Sequence, residues 1–228
     1  MKFRSGRLFP LLLLMPMLAL AAGNARRELA DALKATPDRA HGEQLFAQCM
    51  SCHGVDGGGE ADGSTPRIAG QHYRVLLKQL VDFRYGTRWD FRMEGMADRH
   101  HLAGAQDLAD VAAYVSELKQ PGKRGIGSGE FAADGARIFA AECQSCHGAQ
   151  AEGTKAGVPR LAGQHYAYLM RQMYDAVDGR RPALSQLHSK RLAPLDFEQV
   201  RAVSDFLARI GWDPSADAAG VPEPHPSP

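Results

Sequence analysis

Apolar residues recur every three to four positions in three blocks between residues 39 and 119, and again in three blocks between 132 and 212. That interval puts them on one face of a helix. Helices are therefore predicted over 39–49, 71–85 and 105–119, then over 134–143, 164–177 and 196–210. Asp196, with Gln199 three residues on, has the form of a capping box for the last of these. No stretch reads as a strand, so the fold class predicted is all-α. Three segments lack the pattern or stand apart from it. "KQPGKRGIGSGE", rich in glycine and broken by Pro121, reads as a linker over 120–131. The end, 213–228, has proline and small polar residues and is expected to be disordered. Residues 23–38 read as a short helix or tether that stops before Pro37.

The first twenty-odd residues follow another rule. Lys2, Arg4 and Arg7 precede an apolar run from Leu8 to Leu20, and Ala19 and Ala21 form an A-x-A site. Residues 1–22 are read as an export signal cleaved near Ala21 or Ala22. The alternative is an uncleaved anchor, but the run is shorter than the roughly 20 residues a span needs, and Pro10 and Pro16 interrupt it. Taking the three leader charges from the 27 basic residues leaves 24 against 26 acidic ones. A chain so close to neutrality is a poor match for nucleic acid.

An exported chain with four cysteines would ordinarily form two disulfides. Their spacing argues otherwise. Cys49 and Cys52 lie in "CMSCH", and Cys143 and Cys146 in "CQSCH". C-x-x-C followed by histidine is the attachment signature of c-type haem. Two thiols a helical turn apart can add across the two vinyl groups, and His53 or His147 is then delivered to one side of the iron. One such motif could be a redox pair or half a zinc site. Two copies that use every cysteine leave little room for either, and none for a disulfide or a cysteine ligand to iron. Two covalently attached haem c groups are expected.

The duplication runs further. "GEQLFAQCMSCHG" from Gly42 matches "GARIFAAECQSCHG" from Gly135, "PRIAGQHY" from Pro66 matches "PRLAGQHY" from Pro159, and "DVAAYVSEL" from Asp110 parallels "AVSDFLARI" from Ala202. The offsets stay between 92 and 94 residues, which predicts two homologous domains, 39–119 and 132–212, each with its own haem. With these motifs the chain resembles the dihaem cytochromes c of the cytochrome c4 type. The resemblance implies tandem class I cytochrome c folds set face to face, in a periplasmic electron carrier. It further implies tight crossings of first and last helices, at Gly42, Phe46 and Tyr114 in one unit and Gly135, Phe139 and Phe206 in the other.

A haem held from below by His53 or His147 needs a ligand above. In the first unit "FRMEGMADRHHLAG" offers Met93 and Met96. By resemblance the ligand lies eleven residues ahead of the acidic residue that starts the last helix, here Asp107, which selects Met96 over Met93. Shifting Met96 by the 92-residue offset of the terminal helices lands on His188, and so does counting back 18 residues from Phe206, as Met96 precedes Tyr114. An imidazole thus stands where the repeat calls for a thioether. Met173 and Met170 align with Leu80 and Leu77 and are read as packing residues. The alternatives to His188 are an open or water-bound iron and Lys190. A thioether favours Fe(II) and raises the potential, so a bis-histidine second haem is expected to lie below the first.

The resemblance also assigns Pro66 and Pro159 the carbonyls that hold the two proximal rings. Arg67 and Arg160 could fork onto haem propionates, or could be solvated surface arginines. Gln71, His72, Gln164 and His165 repeat in step, either near the propionates or simply as helix starts. His41, His100, His101 and His225 have no counterpart in the other unit and are expected to be exposed. The function expected is single-electron transfer between redox partner proteins. These are a periplasmic or membrane-bound donor and an acceptor such as a haem-copper oxidase, with membrane association at most peripheral. Two alternatives stay open: a peroxidase-like enzyme with an open second haem, and a subunit of a larger oxidoreductase.

Overall fold

The computed structural model describes residues 14–211 apart from 183 and 185. The basic start of the leader and the tail from 212 onward, including the expected disordered end, lie outside the described residues. Within them the chain is helical, and the single β feature is an isolated bridge between Thr154 and Val158. No helix among the described residues is long and apolar enough to cross a membrane.

The first half contains α1 (Leu14–Lys34), α2 (Arg39–Phe46), α3 (Met50–His53), α4 (Tyr73–Arg84), α5 (Phe91–Met96) and α6 (Ala105–Glu117). The second half repeats the scheme without α1: α7 (Ala132–Glu142), α8 (Gln144–His147), α9 (Tyr166–Val177), α10 (Gln186–Leu192) and α11 (Phe197–Arg209). The helix predicted over 39–49 ends at Phe46, and a separate short helix, α3, begins at Met50. Asp38 caps α2 by accepting from the amides of Ala40 and His41. The chain then breaks after Phe46 and restarts at Met50, which turns the cysteine pair out of the line of α2. Asp196 and Gln199 form the capping box expected of α11. The short helices α5 and α10 were not signalled by periodicity.

Each half is built on a crossing of its first and last helices. Phe46 of α2 meets Tyr114 of α6 with ring centres 5.5 Å apart, and Phe139 of α7 meets Phe206 of α11 at the same 5.5 Å. The backbones touch at the glycines: a Cβ on Gly42 would lie 2.2 Å from the Asp110 carbonyl oxygen, and one on Gly135 2.0 Å from that of Ala202. Leu77, Leu108 and Val111 fill in around the first crossing, and Leu169, Val203, Leu207 and Met173 around the second.

Residues 23–38, expected to be a short helix or tether, carry the end of α1, which packs on the first domain. Ala32 is fully buried, and Ala25, Leu29 and Leu33 pack on the same core. The helix also extends back across the expected processing point. The expected linker is likewise a strap rather than a spacer. Gly127 and Gly129 donate their amides to Asp205 of α11, Arg209 returns a bond to the Gly127 carbonyl, and Ile126 packs into the second core. Glycine and proline suit a strap that must approach other backbones closely as well as they suit a flexible spacer.

Gly42→Ala and Gly135→Ala are each expected to cost about 1–3 kcal/mol through overpacking against a backbone that cannot retreat. The measurement is the guanidinium midpoint of the affected domain, falling with an unchanged slope.

Candidate haem sites

The chain turns at each cysteine pair by the same bonds. His53 N–H donates to the Cys49 carbonyl at 2.9 Å and His147 N–H to that of Cys143 at 3.1 Å, so both cysteines and the histidine share one helical turn. Gly54 (φ +75°) and Gly148 (φ +82°) then reverse the chain. That left-handed backbone suits glycine alone among ordinary residues. Burial pushes the Cys49 and Cys143 thiols up to about 11.

His53 and His147 are buried. Each donates its Nδ1–H to a proline carbonyl, His53 to Pro66 at 3.0 Å and His147 to Pro159 at 3.1 Å. This fixes the tautomer and leaves Nε2 with a free lone pair. Burial also lowers the pKa of both rings, which keeps that lone pair unprotonated. Asp90 and Arg92, at the start of α5, lie near enough to His53 to bias its charge in opposite directions. The helix carrying Met93 and Met96 therefore begins beside the first histidine, with Asp90 capping it through the amides of Arg92 and Met93. Both methionines are half-buried.

In the second half the ring centres of His147 and His188 lie 6.3 Å apart, with a 36° tilt between planes. His188 is half-buried on α10, and burial, then the charges of His147 and Arg181, lower its pKa. A ring nitrogen sits about 1.2 Å from its ring centre, and a metal–imidazole bond is about 2.0 Å long. Two rings on opposite sides of one metal ion therefore have centres about 6.4 Å apart, close to the spacing seen. Lys190 is exposed on the same helix. Met173 packs in the second core, as the repeat predicts.

Arg67 is not a solvated surface residue: it is 4% exposed and donates from Nη2 to the Lys123 carbonyl at 2.7 Å. Arg160 has a buried Nε with no hydrogen-bond partner in the protein. A buried guanidinium N–H wants an acceptor, and a haem propionate would supply one. The thiol pairs and the Nε2 lone pairs fit a haem c in each half, and the ring spacing and this orphan donor fit one in the second.

The repeated glutamines and histidines do something the sequence left undecided. Gln71 donates to the Arg160 carbonyl at 3.0 Å and accepts from the Arg160 amide at 2.9 Å. Gln164 does the same to Arg67, at 2.8 Å and 3.0 Å. Each glutamine thus clamps the backbone of the other domain next to the proline that holds the proximal histidine. His72 bonds the Glu152 carbonyl at 2.8 Å, and His165 bonds that of Gly58 at 2.8 Å. The four contacts form two equivalent pairs about a pseudo-two-fold axis. Their signal was present in the sequence as an exact repeat of "GQHY". Two other histidines keep about the exposure expected of them, with side chains 42% and 38% exposed, yet each has a partner: His41 bonds buried Asp110 at 2.8 Å, and His101 bonds Asp98 at 3.0 Å.

The cytochrome c family model matches this chain twice, over residues 39–119 and 132–210. The chain belongs to the cytochrome c family, and within it to the dihaem cytochrome c4 type. A cytochrome c4 from Stutzerimonas stutzeri is 36% identical over 193 residues, covering 76% of this chain and 89% of its own. The crystal structure of reduced recombinant cytochrome c4 from Pseudomonas stutzeri superposes with a TM-score of 0.69 at 32% identity, covering 77% of this chain and all of its own. A protein of Thiomonas intermedia (strain K12) named as a thiosulfate dehydrogenase electron acceptor is 35% identical over 184 residues, 76% of this chain and 83% of its own. This cytochrome accordingly carries two covalently bound haem c groups, at Cys49/Cys52 and Cys143/Cys146, and transfers electrons with redox partner proteins.

The domain contact is pH-sensitive by construction. His165 is 1% exposed. Its Nδ1 accepts from the Gly125 amide at 3.1 Å while Nε2–H donates to Gly58, so only the neutral ring satisfies both partners. Burial, with Arg67 and Arg124 nearby, lowers its pKa. The unfolded chain takes up a proton below about 6.5 that the native chain resists. This contribution to stability is therefore present above about pH 6.5 and lost as pH falls. Denaturation midpoints measured from about pH 7.5 down to 5.5 are expected to decline, and to decline less in His165→Gln.

Proposed function

We propose that this cytochrome is an exported, periplasmic electron shuttle with two unequal sites, His53 and Met96 on the first iron and His147 and His188 on the second. The observation that carries the reading is the 6.3 Å separation of the His147 and His188 rings, the spacing of two imidazoles on one metal. The haems supply the one-electron Fe(III)/Fe(II) couple; the chain supplies what tunes it. Pro66 and Pro159 hold the proximal rings in one tautomer, so neither site needs to gain or lose a proton at these rings during transfer. Met96 gives the first site a soft donor that favours Fe(II), and His188 withholds that preference from the second. With His53 and Met96 holding the first group and His147 and His188 the second, no position would be left for peroxide. The protein is then a carrier rather than a peroxidase-like enzyme.

The two glutamine clamps make the domains one body, so the sites keep a fixed separation and the chain can pass an electron internally before it leaves. The donor class is supported by the Thiomonas relative named as an acceptor for a dehydrogenase: an exported oxidising enzyme that releases electrons singly. A haem-copper oxidase or another membrane-bound acceptor would complete the path, reached by docking at the membrane surface.

Ferric protein is expected to show two low-spin signals at low temperature, one of them of bis-imidazole type, and near-infrared magnetic circular dichroism should separate thioether from imidazole ligation. His188→Ala should remove the bis-imidazole signal and Met96→Ala the thioether one. His188→Met should raise the lower potential by on the order of 100 mV, a fraction of the roughly 0.8 V that axial ligands span. A high-spin second iron in the unaltered protein would reject the assignment and direct attention to peroxide turnover.

A further inference from the structure

The helix α1 lies outside both segments that match the family, yet one of its side chains reaches the loop that carries the first site's methionine. Glu28, 7% exposed, accepts from Arg84 Nη1 at 2.5 Å and forms an ion pair with Arg99 Nη2 at 3.1 Å. The Arg84 side chain is itself 5% exposed. Its other donors go to backbone: Nε to the Ala97 carbonyl at 2.6 Å, and Nη2 to that of Leu102 at 2.5 Å and that of Asp98 at 3.4 Å. These acceptors begin at the residue directly after Met96. Ala97 is fully buried and Leu102 is 2% exposed, so the guanidinium ties down both ends of the turn behind the ligand.

A buried guanidinium facing three carbonyls still carries a whole charge, and an unneutralised charge at that depth is costly. Glu28 supplies the counter-charge. It is held in place because Ala32 and the neighbouring Ala25, Leu29 and Leu33 pack into the first core and because the Tyr73 hydroxyl donates to the Ala32 carbonyl at 3.2 Å. Among the described residues the second domain shows no buried ion pair of this kind: its counterpart of Arg84 is Val177, 43% exposed, no helix stands in the place of α1, and α10 is tied instead by Ser189 to the Ala176 carbonyl and by the exposed Arg191–Glu142 pair. The buried brace is thus seen only behind Met96.

That distribution has a chemical reason. A thioether is a soft donor that binds Fe(II) well and Fe(III) weakly, so in the ferric protein its bond depends on a loop that cannot drift. An imidazole binds both states and tolerates a looser loop. We infer that Glu28 and Arg84 are positioning residues for Met96, through which α1 controls methionine ligation of the ferric first site. The inference rests on Met96 being the ligand.

The test uses the full-length holoprotein and the far-red thioether-to-ferric charge-transfer band, a signature that the bis-imidazole site does not contribute. Met96→Ala is run first. If the unaltered protein lacks the band, or Met96→Ala keeps it, the ligand reading fails and this inference falls with it. If the band behaves as a Met96 signal, Glu28→Gln should lose it at a pH at least about one unit lower than the unaltered protein, a tenfold weaker ligation. Arg84→Gln should do the same. The His147/His188 low-spin signal in the same molecules reports that the chain is folded. Arg39→Ala, which breaks only the surface pair with Glu117, should leave the midpoint where it was. Should Glu28→Gln fail to hold a folded first domain, Glu28→Asp keeps the charge with a shorter reach and should give a smaller fall. An unmoved midpoint in both Glu28 variants, or an equal fall in Arg39→Ala, would overturn the inference.

Discussion

A neutral imidazole has one donor and one acceptor nitrogen, and in this protein both are committed. Nδ1–H of His53 and His147 goes to the carbonyls of Pro66 and Pro159, which leaves Nε2 as the only atom that can face a metal. Much else in the molecule serves to keep those two carbonyls where they are. The residues that follow the prolines, Arg67 and Arg160, are gripped by amide and carbonyl from Gln164 and Gln71 of the opposite domain. The constraint on each iron's lower ligand is thus shared with the surface that joins the domains. His165 and the strap through Gly125 close the same region against solvent.

Within this symmetric frame the two halves differ at Met96 and His188 and at what stands behind them. The first half has a methionine-bearing turn held by a buried Arg84 that α1 neutralises. The second has a histidine on α10, near the charge of Arg181, and among the described residues no buried ion pair behind it. An ion pair at this depth adds little net stability over apolar packing. Its presence in one half alone is better understood as a device that holds a loop in one position. The asymmetry proposed for the two sites would then be a property of the chain that wraps the haems, since both attachment motifs are C-x-x-C-H.

Much of this was legible before any fold was known, for identifiable reasons. C-x-x-C-H needs only one turn of helix to work, so its chemistry can be read from spacing. The long amphipathic helices announced themselves because each has a single buried face. The helices α5 and α10 did not, since six or seven residues do not establish a period and their positions depend on what they cover. Residues 23–38 and 120–131 were placed by composition, which cannot distinguish a segment that hangs free from one that packs. Gln71 and Gln164 stood in an exact repeat, but a repeat says that a residue matters twice without saying to what.

The sequence by itself determined the two haem attachments, the two-domain organisation, the all-helical class and the presence of His188 at the repeat position of Met96, because each is written in local spacing or in comparison of one half with the other. Only the tertiary structure decided that the domains clamp each other beside the proximal ligands, that the strap belongs to the second core, and that Glu28 reaches Arg84. Those contacts join residues 56 to 107 positions apart. Pairings at that distance leave no periodic trace, because which donors meet which acceptors is settled by how the helices pack.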